Sequence, residues 1–309
     1  MSRLKLSLRL CLPLLLFMAA STVKATTLHV NCGGKAGLTT IGTALKALQY
    51  SEGHAPSTIN VSGACHENVV IQSLDRVTLN AINGASVSDA SGGSLDVILI
   101  QDSRDVSVNG FTIYAGSGPN ANGIDCSEYS LCRLSGNVVQ GAGNGGVAVF
   151  AASNLTLDGD TLQNNIVGLL VRTGSTVRSG GQGSPITARN NSQGINMARD
   201  TIAAIAVVIT NNSNVGALAQ FNSTMDLTGS ISGNGGAGVL VREASAARLA
   251  ATISGNTGPG VLIQDLSMAT FNGGTVTGNG GGTDVVCNPQ YSATRGVADT
   301  GAITNCVEP

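Results

Sequence analysis

Two columns of apolar residues recur through the middle and end of the chain. One reads Val147, Leu169, Ile195, Ala217, Val239 and Val261; the other, two residues further on, reads Val149, Val171, Met197, Ala219, Val241 and Ile263. Alternation of period two, rich in β-branched side chains, predicts strands whose inner face is formed by these columns. The stretches "GNGGAGVLVREAS" (233–245) and "GNTGPGVLIQDLS" (255–267) show the unit most clearly and start 22 residues apart. Earlier units end at Ser103, Ser130, Ser153, Ser175, Thr201 and Ser223, and the last two at Ser245 and Ser267. Such a unit is too long for a hairpin. Its strands must pair in parallel with the same strand of the next coil, advancing about 4.8 Å per coil. The two long units hold "YAGSGPNANG" (114–123) and "SGGQGSPI" (179–186), which read as loops. The predicted fold class is all-β: a right-handed parallel β-helix solenoid of about 22-residue coils, with a short N-terminal capping helix.

The polar positions fall into columns as well. Asn164, Asn190, Asn212, Asn234 and Asn256 each lie four residues before the glycine that opens an aliphatic triplet, and Asn279 follows with a one-residue shift. Asparagine tolerates left-handed backbone, and its amide can bond the next coil, so this column predicts a ladder at one turn. On the outward side of the aliphatic strand the alternation predicts Ile98, Asp125, Ala148, Leu170, Asn196, Leu218, Leu240 and Leu262. The next outward column is Ile100, Ser127, Phe150, Arg172, Ala198, Gln220, Arg242 and Gln264, with Arg199, Glu243 and Asp265 just beyond the strand. The row Leu170, Leu218, Leu240 and Leu262 is either covered by a loop or the tail, or is an assembly surface. Arg172, Arg199, Gln220, Arg242, Glu243, Gln264 and Asp265 are the candidate ligand-binding residues, since guanidinium and amide groups grip carboxylates and hydroxyls.

A solenoid needs capped ends. "LTTIGTALKALQY" (38–50) places Ile41, Ala44, Leu45 and Leu48 on one helical face, with Thr39 or Thr40 as the cap. Before it, Arg3, Lys5 and Arg9 precede an apolar stretch, Leu10 to Ala20, and Val23 and Ala25 suit a signal-peptidase site. The chain therefore divides into a signal peptide (1–25), an N-terminal cap and first coil (26–75), β-helix repeats (76–287) and a C-terminal cap or tail (288–309). A secreted or periplasmic location follows, with no stable membrane span after cleavage.

Charge narrows the partners. The chain carries 16 basic and 18 acidic residues, and Lys35 and Lys46 are the only lysines after residue 25. Nucleic acid is excluded, because phosphate binding needs clustered basic groups. Cys32, Cys65, Cys126, Cys132, Cys287 and Cys306 remain after the leader, an even number that suits disulfides in an exported chain. Among the possible pairings the nearest-neighbour set, Cys32–Cys65, Cys126–Cys132 and Cys287–Cys306, staples both ends. Cys-x-x-Cys spacing is absent and His29, His54 and His66 are the only histidines, so no metal and no cofactor is expected.

"TIGTALKAL" followed by "INVSGACHENVVI" (59–71) and "RVTLNAINGASV" resembles the N-terminus of the pectin-lyase-like parallel β-helix proteins, and the later "GN-x-x-x-G-V-L-V" units resemble their repeats. Cys65 and His66 stand where the pattern has an aromatic residue before Glu67-Asn68-Val69. The resemblance implies a fold, and that fold hosts lyases, hydrolases, esterases, epimerases and adhesins. The motifs of its galacturonan hydrolases, pectin methylesterases and alginate epimerases do not occur here. Asp158 and Asp160 form the close acidic pair of the repeats and read as a polar turn. Phe150, Phe221, Tyr114 and Tyr129 read as core or turn packing rather than a sugar platform. The expected function is a non-catalytic exported protein that binds a polysaccharide or cell-envelope partner along the coil face. The alternatives are a polysaccharide lyase or glycoside hydrolase of the same fold, and a structural or self-associating surface protein.

Overall fold

The computed structural model describes residues 25–49, 55–181, 183–288 and 293–306. The leader predicted at 1–25 lies outside these residues except for Ala25, as do His54 and the end of the tail. The chain winds into about ten turns of a parallel β-solenoid with one short helix. Each coil has three sides. The aliphatic triplets form a separate ten-stranded sheet, from Val69–Gln72 at one end to Val285–Cys287 at the other. The other two sides belong to one sheet of 19 strands that bends at a corner; Thr224–Ser232 and Ala246–Ser254 run through that corner unbroken.

Pairing is in register from coil to coil. Ala217 pairs with Val239 and Val239 with Val261, while Leu218, Leu240 and Leu262 stack on the outer side. Both predicted interior columns are buried. Each fully buried aliphatic side chain contributes about 1.5–3 kcal/mol, and the columns merge into one continuous core. One part of the predicted alternation is out of phase. Ile98 and Ile100 are core residues, and Asp125 pairs with Leu99, so Leu99 and Gln101 take the outward places in that coil, with Val70 and Gln72 before them.

The corners are held by side-chain ladders. After the ten-stranded sheet the chain turns through two consecutive left-handed residues, such as Arg199 (φ 67°) with Asp200 (φ 61°), or Glu243 (φ 57°) with Ala244 (φ 59°). Left-handed backbone costs a side-chain-bearing residue about 1 kcal/mol or more. The buried hydroxyl residue that follows makes the bend tenable. Ser223 N–H donates to Ser245 Oγ at 3.0 Å and Ser245 N–H to Ser267 Oγ at 3.1 Å, and the same bond links Ser103, Ser130 and Ser153.

At the turn into the ten-stranded sheet, the asparagine ladder runs through Asn165, Asn191, Asn212, Asn234, Asn256 and Asn279. Asn164 and Asn190, predicted as its first members, are instead exposed left-handed residues (φ 56° each) one position earlier. That left-handed position is Asn211 in the next coil and Gly233 (φ 65°) in the one after. The second asparagine of each Asn-Asn pair is the buried one. Asn212 Oδ1 accepts the N–H and Nδ2 of Asn191 at 2.9 and 3.0 Å, and its own Nδ2 donates to Ala188 O and Asn234 Oδ1 at 3.1 and 2.9 Å. Glycine follows because the ladder sits so close: a Cβ on Gly238 would lie 2.7 Å from Asn256 Nδ2 and 2.7 Å from Gly260 O.

Both ends are closed. The helix Ile41–Gln49 buries Ile41, Ala44, Leu45 and Leu48 against the first coils. Thr40 Oγ1 accepts Thr43 N–H at 3.2 Å, and Glu67 accepts the N–H groups of Ile41 and Gly42 at 2.7 and 3.0 Å. A carboxylate there meets both the unpaired donors and the positive end of the helix dipole. At the other end Asp284 Oδ1 accepts the N–H and Nδ2 of Asn279, each at 3.0 Å, and so terminates the ladder. Burial opposes ionisation of Asp284, but the donors of Asn279 and Ile303 outweigh it and hold the carboxyl below its usual range. Disulfides join Cys32–Cys65, Cys126–Cys132 and Cys287–Cys306.

The ladder register is testable. Asn165→Ala leaves several buried donors and acceptors unpaired and should cost about 3 kcal/mol in urea unfolding. Asn164→Gly, at an exposed left-handed position, should change stability by less than about 0.5 kcal/mol. Equal losses at the two positions would contradict the register.

Candidate functional site

The outward face of the ten-stranded sheet combines polar and apolar groups that the architecture does not use. Its central coils pair Asp125 with Ala148 and Ala148 with Leu170 in one column. Ala148, Val167 and Leu170 form a small buried cluster with Phe150 packed against it. The predicted leucine row is graded in exposure. Leu170 and Leu218 are buried, whereas Leu240 and Leu262 are half-buried.

The second outward column carries the predicted binding residues. Arg242 donates through Nε and Nη2 to Gln220 Oε1 at 3.1 and 2.6 Å. Gln220 Nε2 passes the chain to Asn196 Oδ1 at 3.3 Å, and Asn196 Nδ2 to Gln193 Oε1 at 2.8 Å. Arg242 also lies 3.9 Å from Glu243, whose other carboxylate oxygen is buried without a partner. These bonds fix the Arg242 guanidinium in place. Gln264 continues the row half-buried, while Arg199 and Asp265 sit exposed on the left-handed corner at its border.

Arg172 differs from Arg242. Its Nε is buried and has no acceptor. Burial depresses its pKa, and the neighbouring Arg199 charge depresses it further. A guanidinium short of an acceptor and beside a second cation is poised for an oxyanion.

A pair of carboxyl groups stands on the other side of the Ala148–Leu170 floor. Asp125 is 7% exposed, and Asn122 Nδ2 donates to its Oδ2 at 3.4 Å. Asp96, just ahead of the strand Ile98–Gln101, accepts the N–H of Asn122 at 2.7 Å, so Asn122 donates to both carboxyl groups. Burial, then the Asp96 charge, pushes the Asp125 carboxyl up to about 8. Asp96 is raised too, chiefly by burial. Asp125 therefore keeps its proton at neutral pH. Asp125 Oδ1 is buried and unpartnered. The strands bearing Asp125 and Arg172 are two spacings apart, about 10 Å.

Asp96 and Asp125 were not singled out by the sequence reading. Asp125 appears there in an outward column, but its partner comes from the coil before, across the 114–123 insertion. The signal that finds them is register: Asp125 faces Leu99, three residues after Asp96.

The other acidic pair is structural. Asp160 is fully buried at the corner between the second and third sides. It accepts the N–H and Nδ2 of Asn137 at 2.9 and 2.8 Å and the N–H of Asp158 at 3.2 Å. Burial raises its carboxyl to about 6 against those donors. Cys32, Cys65 and Glu67 lie close enough to suggest a metal site, but the thiols form a disulfide and the carboxylate caps the helix. Tyr129 and Phe221 are exposed at the same corner but four coils apart, and Tyr114 lies on another side, so the three form no common platform.

Raised carboxyl groups set the sign of the pH dependence. Folded Asp125 and Asp160 hold protons that the unfolded chain releases near pH 4, so stability falls as pH rises from about 4 toward about 8. The Tm should be lower at about pH 9 than at about pH 5, and Asp125→Asn should flatten that decline. A Tm that rises with pH would contradict the raised carboxyl groups.

No protein-family model matches the chain, and no curated protein matches it in sequence. Solved structures do match. The A-module of mannuronan C-5 epimerase AlgE4 from Azotobacter vinelandii aligns with a TM-score of 0.60 at 13% identity, over 86% of this chain and 94% of that one. The periplasmic alginate epimerase AlgG aligns at a TM-score of 0.45 and 11% identity, over 80% and 67% of the two chains. Pectin methylesterase PemA from Erwinia chrysanthemi aligns at 0.38 and 11%, over 80% of each. At such identities the likeness is one of fold: the chain is a parallel β-helix.

Proposed function

We propose that this chain binds a polysaccharide lengthwise along the outward face of the ten-stranded sheet, with an acidic sugar at Arg172. The observation that carries this reading is the half-buried side chain of Arg172, which has Arg199 beside it and no carboxylate partner among the described residues. A carboxylate meeting the exposed part of that guanidinium would offset the repulsion between the two cations. The row Gln220, Arg242 and Gln264 continues in the same direction, one group per coil, and suits the hydroxyls of successive sugars. The AlgE4 module, which shares the fold, is a mannuronan epimerase by name, and this supports a carbohydrate ligand. Three disulfides support an oxidising compartment outside the cytosol, and no helix among the described residues is long and apolar enough to cross a membrane.

A second reading rests on the Asp96–Asp125 pair. A carboxylic acid kept neutral at pH 7 can donate a proton to a leaving oxygen or hydrogen-bond an acidic substrate. In that case the face is catalytic.

Purified protein incubated with acidic and neutral polysaccharides separates these readings when bound polymer and released ends are read on one sample. The binding account expects retention of an acidic polymer without new reducing or unsaturated ends. Arg172→Ala should weaken retention about tenfold or more, and added salt should weaken it in the wild type. Release of ends that Asp125→Asn abolishes would establish the second reading. Retention unchanged by Arg172→Ala would overturn the first.

A further inference from the structure

We infer a second anion site on a different side of the solenoid, in a cleft of about 560 Å³ between Arg133 and Arg178. Its ligand is an oxyanion, carboxylate or sulfate ester, borne on a hydroxyl-rich chain. The inference rests on the carbohydrate reading above for the class of ligand, but on separate residues for the site.

The register builds the cleft. Arg133, Thr156 and Arg178 occupy the same outward column of three successive coils, so two guanidinium groups flank one small hydroxyl side chain. Ala204 follows in that column, and a smaller cleft of about 240 Å³ continues from Ser179 past it toward Asp226. Together these hollows form a trough along the solenoid axis, the direction an extended chain must take.

The wall of the trough comes from the insertion after Ser179, one of the two loops that lengthen the repeat. It is tied down on the neighbouring coil. Gly180 N–H donates to Leu157 O at 2.7 Å, and Ser184 N–H to Asp158 Oδ1 at 3.2 Å. Coils without the insertion pass this corner directly, as Thr224–Ser232 does, and the hollow is the consequence of the added residues. Its volume falls in the ~300–1,000 Å³ range of ligand pockets.

Charge identifies the ligand. Arg133 meets Asp105 at 3.2 Å, an exposed pair that contributes little. Arg178 is exposed and has no acceptor among the described residues. The cleft thus carries two cations and one anion in a chain whose net charge is −2. Asn154, Thr156 and Ser179 line it with groups that bond hydroxyls. A neutral sugar leaves Arg178 unanswered, whereas a sugar acid or sulfate meets it and displaces Arg133 from Asp105.

Backbone NMR titration of the full chain tests the site with three probes: oligogalacturonate, a sulfated oligosaccharide and a neutral galactose oligomer. The expected result is that an acidic probe shifts the amides of Thr156, Ser179, Gly180 and Gly181 and the neutral probe does not. Arg178→Ala should weaken this response about tenfold while shifts around Arg172 persist, and Asp105→Asn should strengthen it. The stronger of the two acidic probes names the source of the oxyanion. Acidic probes that shift only the ten-stranded face, undiminished by Arg178→Ala, overturn this site and leave the proposed function standing. If no probe shifts either face, both are overturned.

Discussion

Through most of the described solenoid, buried N–H groups at the corners of a coil find side-chain oxygens on the next coil. A tight corner turns backbone donors inward, where water cannot reach them, and an unpaired buried donor costs about 1–3 kcal/mol. Serine at one corner and asparagine at another supply the acceptors, each from the neighbouring coil. The bonds demand that identical residues stack, and stacking sets the strand register. The aliphatic core, the left-handed pairs and the close-packed glycines depend on that alignment. Asp284 shows the rule at its limit, where a carboxylate ends the ladder because no further asparagine follows.

Function has to use what this constraint leaves over. Inward positions and corner residues are committed to the coil, while outward side chains on the strands are not. Regular stacking turns them into rows along the axis, which suits a ligand that is itself a repeating chain. The departures from regularity lie beside the proposed sites. The 114–123 insertion falls between Asp96 and Asp125 in sequence, and Gly180 and Gly181 of the second insertion line the cleft of Arg133 and Arg178. Loops that lengthen the repeat create concave, charged ground that uniform coils lack.

The repeat, the interior columns and the buried face of the capping helix were legible because burial leaves a period in the sequence. Ile41, Ala44, Leu45 and Leu48 all sit where a helical period puts them. The nearest-neighbour cysteine pairs were legible from position at the ends and order along the chain. The asparagine register was not, because Asn164-Asn165 and Asn190-Asn191 offer two candidates each, and only φ distinguishes the left-handed residue from the rung. The phase at Ile98 and Ile100 failed for a related reason: Val97 to Ile100 is uniformly apolar and carries no alternation. Glu67 as a helix cap and Asp96 as the partner of Asp125 required knowing which coils touch. No local pattern encodes a contact between residues more than 20 positions apart.

The central claim is that the outward face of the ten-stranded sheet is a ligand surface with Arg172 at its charged point. A crystal structure of the protein with a bound acidic oligosaccharide tests it most directly. The account predicts a chain lying along the solenoid axis across Gln220 and Arg242, with a carboxylate within hydrogen-bond distance of the Arg172 guanidinium. An oligosaccharide seated elsewhere, with no contact to that guanidinium, would contradict it.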